Sequence, residues 1–262
     1  MFSLVSLLVA AALVSQHSGF EANALIENSK LTLDNNLQAN VIAPPKRPRR
    51  LKKFVQIWTP PAEEVKREAG ERVELECVAM GHPPPSISWA KNGEVIQDYE
   101  VNEILPPTMT GLGQLTSKLV ITSTTPGEDQ YTCQAAAGAM RQSATSVVYT
   151  TPTDEDEEDL LALEKMYLPS KPTITYHYND LFQDIGSVVT LPCQVHSYTK
   201  SQVFWQDKNN RLIYGNNRMK VLPSGELLIN GLLWSDMGNF TCIAKNMFGK
   251  DAANTFVYPN KA

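Results

Sequence analysis

The chain has 262 residues, 42% of them hydrophobic, and its 23 Lys and Arg against 28 Asp and Glu give a formal net charge of −5. This length suits two domains of about a hundred residues each. Beyond the N-terminal region there is no apolar run of about eighteen residues, so a membrane-spanning helix is excluded.

The N-terminus predicts a secretory signal peptide over residues 1–24. Its apolar run from Leu4 to Val14 is eleven residues long, which suits the core of a signal sequence and is too short to cross a bilayer. Small residues near Gly19 and at Ala22–Ala24 leave the cleavage point open. We therefore expect a secreted, extracellular protein, and residues 256–262 lack the hydrophobic tail of a lipid-anchor signal.

A basic arm, predicted to be unstructured, occupies residues 25–53. It carries six positive charges in the eight residues from Lys46 to Lys53, and it contains prolines. Three interpretations remain open: a solvated arm, a binding site for an acidic polymer such as heparan sulfate, or a proteolytic site at Arg47–Arg50. Nucleic acid is not an expected partner of a secreted chain.

Two later segments, 54–151 and 168–262, each repeat one pattern. A cysteine is followed twelve residues later by a tryptophan and then by a second cysteine: Cys77, Trp89 and Cys133, then Cys193, Trp205 and Cys242. An aromatic residue, Tyr131 or Phe240, stands two positions before each second cysteine. These parts at these separations predict two immunoglobulin-like β-sandwiches, each with one disulfide between its two sheets. A metal site is not expected, since no C-x-x-C or nearby pair of histidines occurs.

The first segment predicts strands and one tight hairpin. Val73, Leu75 and Cys77 alternate with polar residues, as in a half-buried strand, and Asn92-Gly93 is a strong hairpin signal. In the second segment Leu227, Ile229 and Leu232 predict core positions, and the Ala244–Gly249 stretch predicts a hairpin turn.

Both segments resemble the I-set immunoglobulin domains of extracellular proteins. The matching positions are Gly81, Pro83, Pro85, Ile87, Trp89 and Asn92-Gly93 in the first segment, and Asp236, Gly238, Ala244, Asn246 and Gly249 in the second. The first segment departs from the pattern with Gly127 where the family usually has Asp, and we expect Asp129 to substitute. The second has Phe240 in place of the usual tyrosine.

The ordered combination of parts resembles a family of secreted insect proteins with two immunoglobulin domains that bind insulin-like peptides. The resemblance covers essentially the whole chain. It implies an antagonist or carrier that sequesters insulin-like hormones outside cells and lowers receptor signalling. We expect the free protein to be a monomer. Alternative functions are cell adhesion and heparan-sulfate or matrix binding through Lys46–Lys53.

A linker of unusual composition is predicted at 152–167. Six acids, Asp154–Asp159, precede an apolar group made of Leu160, Leu161, Leu163, Met166 and Tyr167. These apolar residues either fill the crease between the two sandwiches or form part of a hydrophobic groove for the hormone.

Further candidates for hormone binding are aromatic and apolar residues that the cores do not need. Trp58 and Trp234 are of this kind, and Phe54 and Ile57 lie close to Trp58 in the sequence. Asn239 begins the chain's only N-x-S/T acceptor and is a candidate glycosylation site. The sequence has no phosphate loop, nucleophile elbow or zinc-protease motif, so we expect no enzyme, catalytic residue or cofactor.

Overall fold

The computed structural model describes residues 52–96, 109–123, 125–152 and 168–261. The first part contains the strands β1 Phe54–Thr59, β2 Glu64–Glu68, β3 Val73–His82, β4 Ser86–Lys91, β5 Glu94–Val95, β6 Leu112–Ile121, β7 Gly127–Ala137 and β8 Met140–Thr151. The second part contains β9 Thr173–Asp184, β10 Val189–Leu191, β11 Gln194–His196, β12 Gln202–Gln206, β13 Met219–Val221, β14 Leu227–Ile229, β15 Gly238–Asn246 and β16 Gly249–Asn260, with a 3₁₀ turn at Trp234–Asp236.

The first sandwich packs the sheet β2-β8-β7-β4-β5 against strands β1, β3 and β6. Alternate residues of β3 are buried, as the sequence pattern predicts, and Cys77 on that strand is bonded to Cys133 on β7. The indole N–H of buried Trp89 donates to Ser117 Oγ at 3.0 Å. The predicted hairpin joins β4 to β5, with Asn92 at φ 51° and Gly93 at φ 88°.

The second sandwich packs the sheet β10-β14-β13 against strands β12, β15 and β16. Cys193 is bonded to Cys242, and Leu227, Ile229 and Leu232 are fully buried, as predicted. The indole N–H of Trp205 donates to the carbonyl of Gly225 at 2.8 Å. The predicted fold class, two disulfide-containing immunoglobulin sandwiches, is therefore confirmed.

The two sandwiches share one sheet, which the sequence did not predict. Strand β9 pairs antiparallel with β6 of the first sandwich and parallel with β16 of the second. The result is an eight-stranded sheet in the order β1-β3-β6-β9-β16-β15-β12, with β11 also paired to β9. The junction is thus a ladder of backbone hydrogen bonds and not a flexible joint.

Side chains reinforce the junction between the sandwiches. The hydroxyl of Tyr178 on β9 donates to the carbonyl of Pro85 at 3.2 Å, and Thr116 Oγ1 donates to Asn179 Oδ1 at 2.7 Å. Tyr176 Oη accepts a hydrogen bond from the backbone N–H of Ile87. Each of these bonds joins a residue of one sandwich to a residue of the other.

The expected substitution of Asp129 for the family's aspartate is wrong. In the second sandwich Asp236 is buried and pairs through both carboxylate oxygens with Arg218, at 2.5 and 2.9 Å. Asp129 instead pairs with Lys91 at 2.8 Å and accepts a bond from Asn92. Asp129 is two residues closer to Cys133 along β7 than Gly127 is. At that position its side chain faces the β4–β5 hairpin.

Several predicted features lie outside the described residues. These are the signal peptide 1–24, the arm 25–53 except for Lys52 and Lys53, and the linker 152–167 except for Pro152. In the described ranges, no helix is long and apolar enough to cross a membrane.

Candidate functional site

The eight-stranded sheet has one face turned to the two cores and one turned outward. Because side chains alternate along a strand, buried Leu115, Leu181 and Val257 mark the core face of β6, β9 and β16. The residues between them belong to the outer face, which runs across both sandwiches without interruption.

A row of side chains crosses this outer face over five strands. Phe54 is paired with His82, Leu112 with Phe182, and Phe182 with Tyr258. Gly81 is paired with Gly113, so the adjacent residues His82 and Leu112 are neighbours across β3 and β6. This contact joins the pair on β1 and β3 to the pairs on β6, β9 and β16. Residues directly opposite one another share a face, so these five form what we call the cross-strand row. At a strand spacing of about 4.8 Å, it spans roughly 19 Å.

Aromatic rings cluster at the second-sandwich end of the row. The ring centroids of Phe182 and Tyr258 are 5.5 Å apart, and Trp234 meets Tyr258 edge-on at 5.9 Å. Lys261 Nζ lies 5.6 Å above the Trp234 ring. Trp234 keeps 46% of its surface exposed, and Phe182 and Tyr258 are half-buried. These rings are large enough, and open enough, to act as binding anchors.

At the first-sandwich end the row is narrower and partly polar. His82 Nδ1 lies 2.7 Å from the carbonyl oxygen of Gly111, so this nitrogen donates and the ring is held in one orientation. Phe54 and Leu112 are half-buried beside it. The row therefore changes from aromatic to mixed character between its two ends.

The binding residues predicted from the sequence lie in different parts of the structure. Phe54 lies in the row and Trp234 touches its far end, whereas Ile57 packs against the core. Trp58 is 64% exposed where the β1–β3 register shifts. The linker candidates Leu160, Leu161, Leu163, Met166 and Tyr167 lie outside the described residues.

Sequence reasoning missed four members of the candidate site: His82, Leu112, Phe182 and Tyr258. The alternation of Tyr258 with buried Val257 and Pro259 is a signal that could have placed it on an outer face. For Leu112 and Phe182 the decisive fact is the pairing of β6 with β9, which no local pattern reveals.

A cleft of about 770 Å³ lies on the core side, where the two smaller sheets leave a gap above β6 and β9. Burial raises the pKa of Tyr176 to about 12 and also raises the pKa of Tyr178 and of Glu226. Both tyrosine hydroxyls are engaged with backbone groups. The cleft is therefore a hydrogen-bonded seam, lined mainly by uncharged side chains together with Lys118, Arg141 and Glu226.

Comparison with known proteins agrees with this architecture. A family model described as "Immunoglobulin domain" matches residues 56–136 and 171–246. Neural/ectodermal development factor IMP-L2 of Drosophila melanogaster is 31% identical over 244 residues, covering 90% of this chain and 87% of that protein. Zwei Ig domain protein zig-4 of Caenorhabditis elegans is 27% identical over 266 residues, covering 99% and 97%. A crystal structure of neural ectodermal development factor IMP-L2 superimposes with a TM-score of 0.67 and 29% identity, over 81% of this chain and 99% of that one.

Proposed function

The chain belongs to the immunoglobulin-domain family, with IMP-L2 as a relative along most of its length, and from this premise we propose that it is a secreted protein that sequesters insulin-like peptides. By holding the hormone outside the cell, it antagonises insulin receptor signalling and so regulates growth during development. The fold and the relatives are those of immunoglobulin-domain proteins and not of enzymes.

The cross-strand row is the observation that carries this proposal. An insulin-like hormone presents an apolar receptor-binding face, and a partner surface needs apolar and aromatic residues at its centre with polar residues around it. The row supplies Phe182, Tyr258 and the adjoining Trp234, with Lys261 at the rim. Because backbone pairing holds these residues, little ordering is needed when a partner binds.

Calorimetric titration with an insulin-like peptide tests the function directly. The protein, made without residues 1–24, is expected to bind one peptide tightly with a negative change in heat capacity, since apolar surface is buried. In cells that carry the receptor, the same protein lowers hormone-stimulated receptor phosphorylation. Absence of binding at micromolar concentrations of both partners contradicts the proposal for that peptide.

A pair of tyrosine variants tests the site separately from the function. Tyr258→Ala removes a ring of the aromatic cluster, and loss of about 2 kcal/mol at a hot spot corresponds to roughly 30-fold weaker binding. Tyr214→Ala is the matched control, because Tyr214 is 90% exposed and belongs to none of the strands of the large sheet. Equal affinities for the two variants would mean that the hormone binds elsewhere.

Experiments on the same protein, made without residues 1–24, distinguish two other functions. A homophilic adhesion protein associates with itself in a concentration-dependent way during sedimentation, whereas a hormone carrier stays monomeric until the peptide is added. A heparan-sulfate binder loses its activity when Lys46–Lys53 is deleted, whereas hormone binding through the outer face survives that deletion.

A further inference from the structure

Asn239 lies on the outer face, in a second row of side chains that is fully paired across six strands. The series consists of Gln56, Met80, Gln114, Asp180, Phe256 and Asn239, each residue directly opposite the next. Asn239 is exposed and stands against half-buried Phe256, whereas the next residue, Phe240, is buried in the core.

The glycosylation acceptor triplet Asn239-Phe240-Thr241 therefore presents its side-chain amide and its hydroxyl on the outer face. Asn239 and Thr241 alternate with Phe240, so the amide and the hydroxyl share the outer face of β15. In the folded protein Thr241 Oγ1 donates to Asn254 Oδ1 at 2.7 Å. Because this bond engages the Thr241 hydroxyl, we expect the triplet to be modified before β15 pairs with β16.

We infer that Asn239 carries an N-linked glycan that covers the outer face at its β15–β12 end. In the reaction, C1 of an oligosaccharide on a lipid diphosphate donor forms a bond with Asn239 Nδ2. The bond from C1 to the diphosphate oxygen breaks, the lipid diphosphate leaves with the bonding electron pair, and the amide nitrogen loses one proton.

An apolar patch at this end explains what the glycan does. Phe204 on β12 is paired with Ile243 on β15, and Phe204 keeps 37% of its surface exposed. Strand β12 is also the last strand of the large sheet. Residues 211–213 cover only part of its outer backbone edge: Gln206 forms a bridge with Leu212, and the Ile213 N–H donates to the Trp205 carbonyl at 2.8 Å. The part of the edge at Gln202–Phe204, with the exposed Phe204 side chain beside it, remains available, and an uncovered edge with apolar side chains promotes association between chains.

The glycan is within reach of this patch. Ile243 lies four positions after Asn239 along β15, which is about 13 Å at the rise of an extended strand. A branched oligosaccharide attached at Asn239 extends over that distance and blocks a second chain from approaching β12. The glycan thus keeps the secreted protein monomeric.

The test begins with site occupancy in protein secreted from eukaryotic cells. Mass spectrometry of the tryptic peptide that contains Asn239 is expected to show a glycan that peptide-N-glycosidase removes, with conversion of Asn239 to aspartate. Thr241→Ser retains the acceptor and the hydroxyl and is expected to keep the glycan. Thr241→Val retains the branched shape and is expected to lose it.

Sedimentation then compares the glycosylated protein with the enzymatically deglycosylated one, which avoids any effect of a mutation on folding. The glycan-free protein is expected to self-associate as concentration rises, and Phe204→Ser is expected to abolish that association. An unmodified Asn239 in the secreted protein overturns the inference, and so does a glycan-free protein that stays monomeric. The inference rests on the secretory route of the proposed function and not on the hormone, so failure to bind an insulin-like peptide leaves these outcomes unaffected.

Discussion

Replacing Gly111 with alanine is expected to open the sheet where the two sandwiches join. A Cβ at this position would lie 1.7 Å from the carbonyl oxygen of Phe182 and 2.8 Å from its carbonyl carbon. Both are backbone atoms, so no rotation of a side chain relieves the clash. Ordinary contact requires β6 and β9 to separate by roughly 1.5 Å at this point.

The energetic cost follows from the hydrogen bonds at this end of the β6–β9 ladder. The pairs Leu112–Phe182 and Gly113–Leu181 are the last of that ladder. Gln183 Oε1 also accepts bonds from the backbone N–H groups of Thr110 and Gly111, and Gln183 is 1% exposed. Two or three lost bonds and a buried acceptor left without a partner amount to about 3 kcal/mol.

Guanidinium unfolding measures this loss, and amide hydrogen exchange locates it. Gly111→Ala is expected to lower the unfolding free energy by that amount and to raise exchange at Leu181 and Phe182. Gly93→Ala is the control: its Cβ meets nothing within 4 Å, but φ 88° makes the substitution cost about 1–2 kcal/mol. In the Gly93→Ala control, the backbone amides of β9 are expected to stay protected from hydrogen exchange. A Gly111→Ala protein with parental stability and parental protection of β9 would refute the reasoning.

Three further outcomes are expected. Removing the Cys77–Cys133 bond by a double alanine substitution frees a loop of 56 residues, which predicts a loss of about 4 kcal/mol in denaturant unfolding; an unchanged midpoint would contradict it. Burial acts to raise the pKa of Asp129, but hydrogen bonds from Lys91 and Asn92 outweigh it and hold that pKa below its ordinary 3.8. This group therefore adds stability above pH 3.8 and loses it as the pH falls through the folded pKa, so the stability difference from Asp129→Asn shrinks in acid unfolding series. Hormone binding through the row is expected to persist in salt, since screening weakens charge contacts and not apolar burial; binding that disappears by about 0.5 M salt would count against the row.

The core of each sandwich could be predicted from the sequence because its determinants are local or regularly spaced. Alternation along β3 buries Leu75 and Cys77, and the separation of each tryptophan from its cysteines is fixed by the geometry of two packed sheets. Asn92 and Gly93 take positive φ angles in a two-residue turn, which few other residue pairs do at low cost. Each of these signals is complete within one sandwich.

The proposed binding face could not be predicted in the same way, because it depends on pairing between strands of different sandwiches. Sequence reasoning treated the domains as separate bodies and looked for binding residues in the linker and around Trp58. Trp234 is predicted as an aromatic residue that the cores do not need, but its neighbours Phe182 and Tyr258 come from strands whose register only the assembled sheet defines. The steric requirement for glycine at position 111 likewise arises only because β9 packs against it, so no local sequence pattern predicts it.

A one-residue bulge in β9 decides which aromatic side chains reach the outer face. Tyr178 and Phe182 are four residues apart, so in an unbroken strand they would point the same way. The register instead passes from Leu115–Tyr178 to Gln114–Asp180, which leaves Asn179 as an extra residue whose side chain is held by Thr116. The bulge reverses the alternation, so Tyr178 is buried in the cleft wall while Phe182 stands outward beside Tyr258. The outer aromatic cluster and the buried seam between the sandwiches are thus produced by the same irregularity in one strand.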